Sequence, residues 1–250
     1  MSGSINLTRF VLFPQQMNGA QRAIVKKHIT FYNNLSASNK LYFEHRVLKF
    51  LENYDFSGRE GVKITLKMKI LIASTAVMLT FGMRRYLFTA FTKIIIYPKN
   101  YFSHITKKRH KGETNPRLGT IVFSWDDFLE GLKIEDNNMN LGLHELTHAL
   151  YFSFLKYRSF TAVVFLDHFN VLLERLKDRK LQRKIVQSGY LREYGFRNKF
   201  EFLSILVEHF FETPEEFKET LPEIYKMVKR MFNFDPLKLS RPAPIPVLSE

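Results

Sequence analysis

Three side chains in one short stretch combine metal binding with proton transfer. His144-Glu145-Leu146-Thr147-His148 spaces two imidazoles four residues apart with a carboxylate directly after the first. On a helix the two histidines lie about 40° apart around the axis, so both reach one cation through bonds of about 2.0–2.1 Å. Glu145 sits about 100° from His144, where it misses the ion but reaches a water held by it. Leu141, Leu143, Leu146, Ala149, Leu150, Phe152 and Phe154 project around nearly the whole helix, which predicts a buried one. Buried imidazoles and carboxylates need partners. A shared metal supplies them; the alternative is a set of core polar residues satisfied by their neighbours.

A catalytic zinc site takes three protein ligands and keeps a fourth position for water. The chain has no cysteine, so thiolate ligands, disulfides and a cysteine nucleophile are excluded and a metal must be held by His and carboxylates. No third His follows at close spacing. The apolar segment Lys199–Phe211 reads as a buried helix carrying Glu201 and Glu208 on nearly the same face. They are about 10.5 Å apart along the axis, so both cannot bind one ion, and spacing alone does not choose between them. Asp167 and His168 lie on another helical segment, Thr161 to about Lys180, where a lone His is expected to be satisfied by a neighbour.

The elements that must position these groups follow in order. Residues 1–35 are weakly patterned, with a short helix expected over Arg22–Tyr32. Ser38 is the expected cap of a helix ending at Asp55-Phe-Ser-Gly58. Val62–Ile64 reads as a short strand, and Thr65 caps an apolar helix to about Phe81, stopped by Gly82. Lys93–Tyr97 and Thr120–Trp125 read as strands flanking a polar loop from Lys99 to Arg117. Asn137–Asn140 is the turn into the metal-motif helix. Thr213-Pro-Glu-Glu216 and Thr220-Leu-Pro-Glu223 read as capping boxes opening two last helices. The expected organisation is one domain over residues 36–238 and a Pro-rich extended tail over 239–250.

Composition narrows the partners. At 250 residues, 45% apolar and 25% charged, the chain suits an ordinary globular protein with a sizeable core. The net charge of +14 would suit a nucleic-acid or membrane-surface partner. Yet the Lys and Arg are spread along the chain and no zinc finger or RNA-recognition signature accompanies them, so a solvated basic surface is expected, with no nucleic acid and no membrane. The start Met1-Ser-Gly-Ser-Ile-Asn6 lacks a signal-peptide pattern. The apolar run Ile70–Met83, about 14 residues, is too short to span a bilayer. A cytoplasmic location is expected.

Several segments, in order, resemble the MtfA (Mlc titration factor A) family of zinc-dependent peptidases, whose catalytic domain is similar to that of anthrax lethal factor. They are Ile94-Ile-Ile-Tyr-Pro98, Ile121-Val-Phe-Ser-Trp125, the Asn140–His148 metal segment, Glu201–Phe217 with its E-x6-E-x-F-F-x-x-P-E-x-F pattern, and Asp235-Pro236. The chain departs from the family at Ala149-Leu150-Tyr151 and in the loop before Trp125. The resemblance implies an α+β, zincin-like fold, mostly helical with a small mixed sheet whose edge strand precedes the H-E-x-x-H helix. It makes Glu201 the third zinc ligand beside His144 and His148, Glu208 a supporting residue, and Tyr194 a donor to the transition state; a structural loop tyrosine is the other reading of Tyr194. It also implies aminopeptidase-like action on short peptides and, in some bacteria, binding of a transcriptional repressor. The resulting expectation is one Zn²⁺, with Glu145 as general base and Thr120–Trp125 as the sheet edge on which a peptide adds as a strand. Trp125 itself is expected to pack in the core.

Overall fold

The computed structural model describes residues 11, 13–103, 107–134 and 136–239, with backbone alone at Glu193 and Tyr194. Of the expected tail over 239–250, residues 240–250 lie outside the described residues. The chain opens with three helices, α1 (Gly19–His28), α2 (Thr30–Asn33) and α3 (Ala37–Asn53), so the helix expected over 22–32 divides in two. Asn18 and Gln21 close a reciprocal capping box at α1. The cap of α3 is Ser36, which has the extended backbone a cap needs and accepts from the Asn39 amide; Ser38, the expected cap, is already inside the first turn. Glu44 of α3 fastens this region. It accepts from Arg22 Nε and Nη2 at 2.8 and 2.9 Å, from the Tyr32 hydroxyl at 2.6 Å and from the Met17 amide at 2.9 Å.

Asp55–Gly58 is a strand, β1, and Val62–Ile64 is not one. Glu60 and Gly61 turn the chain in left-handed conformation, so Val62–Ile64 only carries it to Thr65. Thr65 caps the buried α4 (Leu66–Leu79) as expected. That helix ends at Thr80, and Gly82 serves close packing instead: a Cβ there would lie 2.4 Å from the Phe232 carbonyl oxygen.

β2 (Lys93–Tyr97) follows. The expected polar loop holds a hairpin, β3 (Tyr101–Ser103) with β4 (Lys108–His110), and a further strand, β5 (Gly112–Asn115), before β6 (Thr120–Ser124). The main sheet runs β1-β2-β6-β5, parallel except for the antiparallel β5–β6 pair. Ile94, Ile96, Ile121 and Phe123 are fully buried on one face. This is the expected α+β fold, mostly helical with a small mixed sheet. Thr120–Ser124, however, lies inside the sheet, and the edge strands are β1 and, on the side of Thr120–Ser124, β5. Trp125 is the first residue of α5 (Trp125–Lys133) and stacks on Phe128.

The remaining helices are α6 (Leu141–Lys156), α7 (Phe160–Arg175), α8 (Arg179–Ser188), α9 (Lys199–Glu212), α10 (Pro214–Thr220) and α11 (Pro222–Phe232). Pro214 and Pro222 hold the first helical positions, as expected. The two capping boxes do not form: Thr213 and Leu221 are the caps and neither bonds its helix through a side chain. The Thr213 hydroxyl instead meets the Tyr190 hydroxyl at 2.7 Å and Asn138 Oδ1 at 2.8 Å. Among the described residues no helix is long and apolar enough to cross a membrane.

Candidate metal centre

The site forms where α6 passes between the edge of the sheet and α9. Asn140 caps α6, accepting from the Leu143 amide at 2.9 Å, and so sets the phase that turns His144 and His148 toward α9. Asn198 caps α9 through the amides of Phe200 and Glu201, which places Glu201 in the first turn facing both imidazoles. The ring nitrogens His144 Nε2 and His148 Nε2 lie 3.2 Å apart. Glu201 Oε2 lies 3.0 Å from the first, and Oε1 lies 3.7 Å from the second. One ligand atom from each of the three residues falls within 4.8 Å of the others.

Those spacings fit a metal. Four ligands held tetrahedrally at about 2.0–2.1 Å from zinc stand about 3.3 Å from one another, close to the separations found. Two imidazoles and a carboxylate are also the donor set of catalytic zinc sites that keep one position open.

A second layer holds the ligands. Glu208 Oε1 lies 2.7 Å from His144 Nδ1; a donating Nδ1–H leaves the Nε2 lone pair for a cation. The buried Glu208 is itself held by the Asn140 amide at 3.0 Å and by Arg192 Nη2 at 2.7 Å. Ser204 donates to the His144 carbonyl at 3.2 Å and lies 3.4 Å from His148 Nδ1. Glu201 and Glu208, which spacing leaves equivalent, therefore meet different nitrogens of His144.

Glu145 faces the other way, toward β5. The Thr114 hydroxyl lies 2.8 Å from Glu145 Oε2, and a Cβ on Gly112 would lie 2.6 Å from Glu145 Cγ. In the metal-free protein, burial pushes the Glu145 carboxyl up to about 7, against the His144 charge and the Thr114 hydrogen bond, which pull it down. Burial alone would lower His144, but Glu201 and Glu208 outweigh it and push its pKa up to about 10. His148, buried beside the His144 cation, is pushed down to about 4.

Gly112, Thr114, Arg192 and Ser204 were not signalled as site residues. Ser204 was open to detection, three residues after Glu201 on a helix face. Gly112 and Thr114 were not, lying in a short polar strand. Tyr194 belongs to the 3-10 turn Glu193–Arg197 that leads into α9, and its side chain lies outside the description. Asp167 and His168 do not join the cluster; His168 Nδ1 is satisfied 2.8 Å from the Val164 carbonyl of its own helix.

A helix bearing two imidazoles and a carboxylate from a second helix thus form a cluster that could hold a metal ion, with a buried carboxylate beside it. The chain belongs to the family of glucose-regulated metallopeptidases M90, which matches residues 7–233; this is the MtfA family that the motifs resemble. Membership brings a metal as cofactor and peptides as the substrate class. A protein of Synechocystis sp., named only as uncharacterized, is 20% identical over 252 residues, covering 90% of this chain and 88% of its own.

Proposed function

We propose that this chain is a zinc-dependent peptidase in which His144, His148 and Glu201 hold one Zn²⁺ and Glu145 is the general base. The convergence of three ligand atoms within 4.8 Å carries this reading. Zinc in that cluster supplies a Lewis acid that acidifies a water and polarises a carbonyl. The chain's own groups do the rest. Glu145 takes a proton from the attacking water and hands it to the leaving amine. Thr114 fixes the carboxylate that does so, and Glu208 and Ser204 orient the imidazoles. Tyr194, on the turn before α9, donates to the developing oxyanion.

The substrate lies along β5. Among the described residues that strand pairs only with β6, and Gly112 and Thr114 set its face beside Glu145, so an extended peptide adds along its other edge through main-chain hydrogen bonds. Aminopeptidase-like action on short peptides and a cytoplasmic site of action complete the reading. The rival, a repressor-titrating regulator with a structural zinc, leaves the buried Glu145 without a task.

Metal analysis of the purified protein, paired with cleavage of a peptide library with and without chelator, tests the proposal. Glu145→Ala should keep zinc and lose turnover, and His148→Ala should lose both. Wild-type cleavage by Glu145→Ala would remove the base from this account.

A further inference from the structure

We propose that the corner between α6 and α7 is a docking surface for anionic lipid. Within nine residues it presents Leu155, Tyr157, Phe160 and Val163 with 53, 47, 73 and 42% of their surface exposed. Lys156 and Arg158 alternate with them and are exposed as well. Two more exposed cations, Arg84 and Arg85, sit beside this corner, because the Arg85 amide meets Thr161 Oγ1 at the start of α7 at 3.4 Å. Neither stretch contributes an acid: residues 80–92 and 150–166 contain no Asp or Glu. The first acid along α7 is Asp167, about two helical turns beyond Phe160.

Four exposed apolar side chains and four exposed cations, none of them in an ion pair with another described residue, call for a partner that is apolar underneath and negative on top. A bilayer with anionic headgroups is layered in that way. Leu155, Phe160 and Val163 would enter the acyl boundary, the Tyr157 ring would sit at headgroup level, and the Lys and Arg stems would reach up to the phosphates. The overall charge of +14 adds long-range attraction to such a surface. No spanning segment is needed for this mode of binding.

The chain's lack of cysteine permits a direct test. Phe160→Cys, labelled with an environment-sensitive dye, is compared with Val186→Cys, an exposed position on the basic helix α8. Vesicles of phosphatidylcholine mixed with phosphatidylglycerol should blue-shift the Phe160 label and leave the Val186 label unchanged; pure phosphatidylcholine should do neither. In a sedimentation assay Arg84→Glu/Arg158→Glu should weaken vesicle binding by more than about tenfold, with an unchanged melting curve. The proposal is overturned if mixed vesicles are not bound, if both labels shift alike, or if the double charge reversal binds as the wild type does. It is equally overturned if Phe160→Ser converts a dimer to a monomer and leaves vesicle binding intact, which would assign the corner to self-association.

Discussion

The Thr114 hydroxyl lies between two oxygens of Glu145, 2.8 Å from the carboxylate Oε2 and 3.0 Å from the main-chain carbonyl. One side chain of the edge strand thus holds both the proposed base and the helix turn that carries it. Thr114→Val removes the hydroxyl and keeps the shape. A hydrogen bond to a charged group contributes about 1.5–3 kcal/mol, so kcat should fall by about tenfold or more with KM and zinc content little changed. Thr114→Ser should restore it. A Val variant with wild-type kcat would show that the contact positions nothing.

Gly112 leaves the room that Glu145 fills. A methyl group there would lie 2.6 to 2.8 Å from three atoms of the Glu145 side chain, so Gly112→Ala must displace that side chain or the edge strand. Turnover should fall by about a hundredfold, since roughly 1 Å of misplacement costs that much. Bound zinc, measured by metal analysis, should stay at wild-type stoichiometry because the imidazoles face away from the strand.

Glu208 reaches a cation only through His144, and its replacement should read out as affinity. Glu208→Gln weakens the hold on Nδ1 and takes the carboxylate from Arg192. Zinc affinity, measured by chelator competition, should drop about 10- to 100-fold. An unchanged affinity would reduce Glu208 to a packing residue.

Proton release should accompany metal uptake. In the metal-free protein His144 holds its proton up to a pKa of about 10, while His148, at about 4, is already neutral near pH 7. Zinc must displace the His144 proton. Its apparent affinity should therefore rise about tenfold per pH unit between about pH 6 and 8. Titration calorimetry in buffers of different ionisation enthalpy counts the proton directly.

Acid should loosen the N-terminal helices through Glu44. Burial would raise this carboxyl, but hydrogen bonds from Arg22, Tyr32 and the Met17 amide outweigh it and hold it below its usual value. A depressed folded pKa means the stabilisation is complete above the unfolded value, about 4.3, and is lost as pH falls through the folded one. Glu44→Gln should cost on the order of 2 kcal/mol at neutral pH, discounted for the partly exposed Arg22. Its melting temperature should fall less than that of the wild type between about pH 5 and 3.

What was legible in the chain follows from how far each signal depends on distant contacts. The metal helix announces itself locally, with Asn140 as its cap, polar groups at fixed spacing and apolar residues on every side. The strand Lys93–Tyr97 is likewise a run of β-branched residues. The choice between Glu201 and Glu208 depends on where α9 crosses α6, which no spacing within one helix encodes. The edge strand was missed because Gly112-Glu-Thr-Asn115 has no apolar alternation; pairing with β6 defines it. α8 read as a basic stretch because only Leu181 and Ile185 face the core, a stripe one turn long.

The proposed ligands His144 and Glu201 stand 57 residues apart along the chain, with α7 and α8 looping out between them. An ion gripping α6 and α9 would close that loop as a rivet does, restricting the unfolded chain more than the folded one. In a protein without cysteine no disulfide can take that part. The ion would then be a fastener as much as a reagent, and stripping it would soften the scaffold that aims the reacting groups.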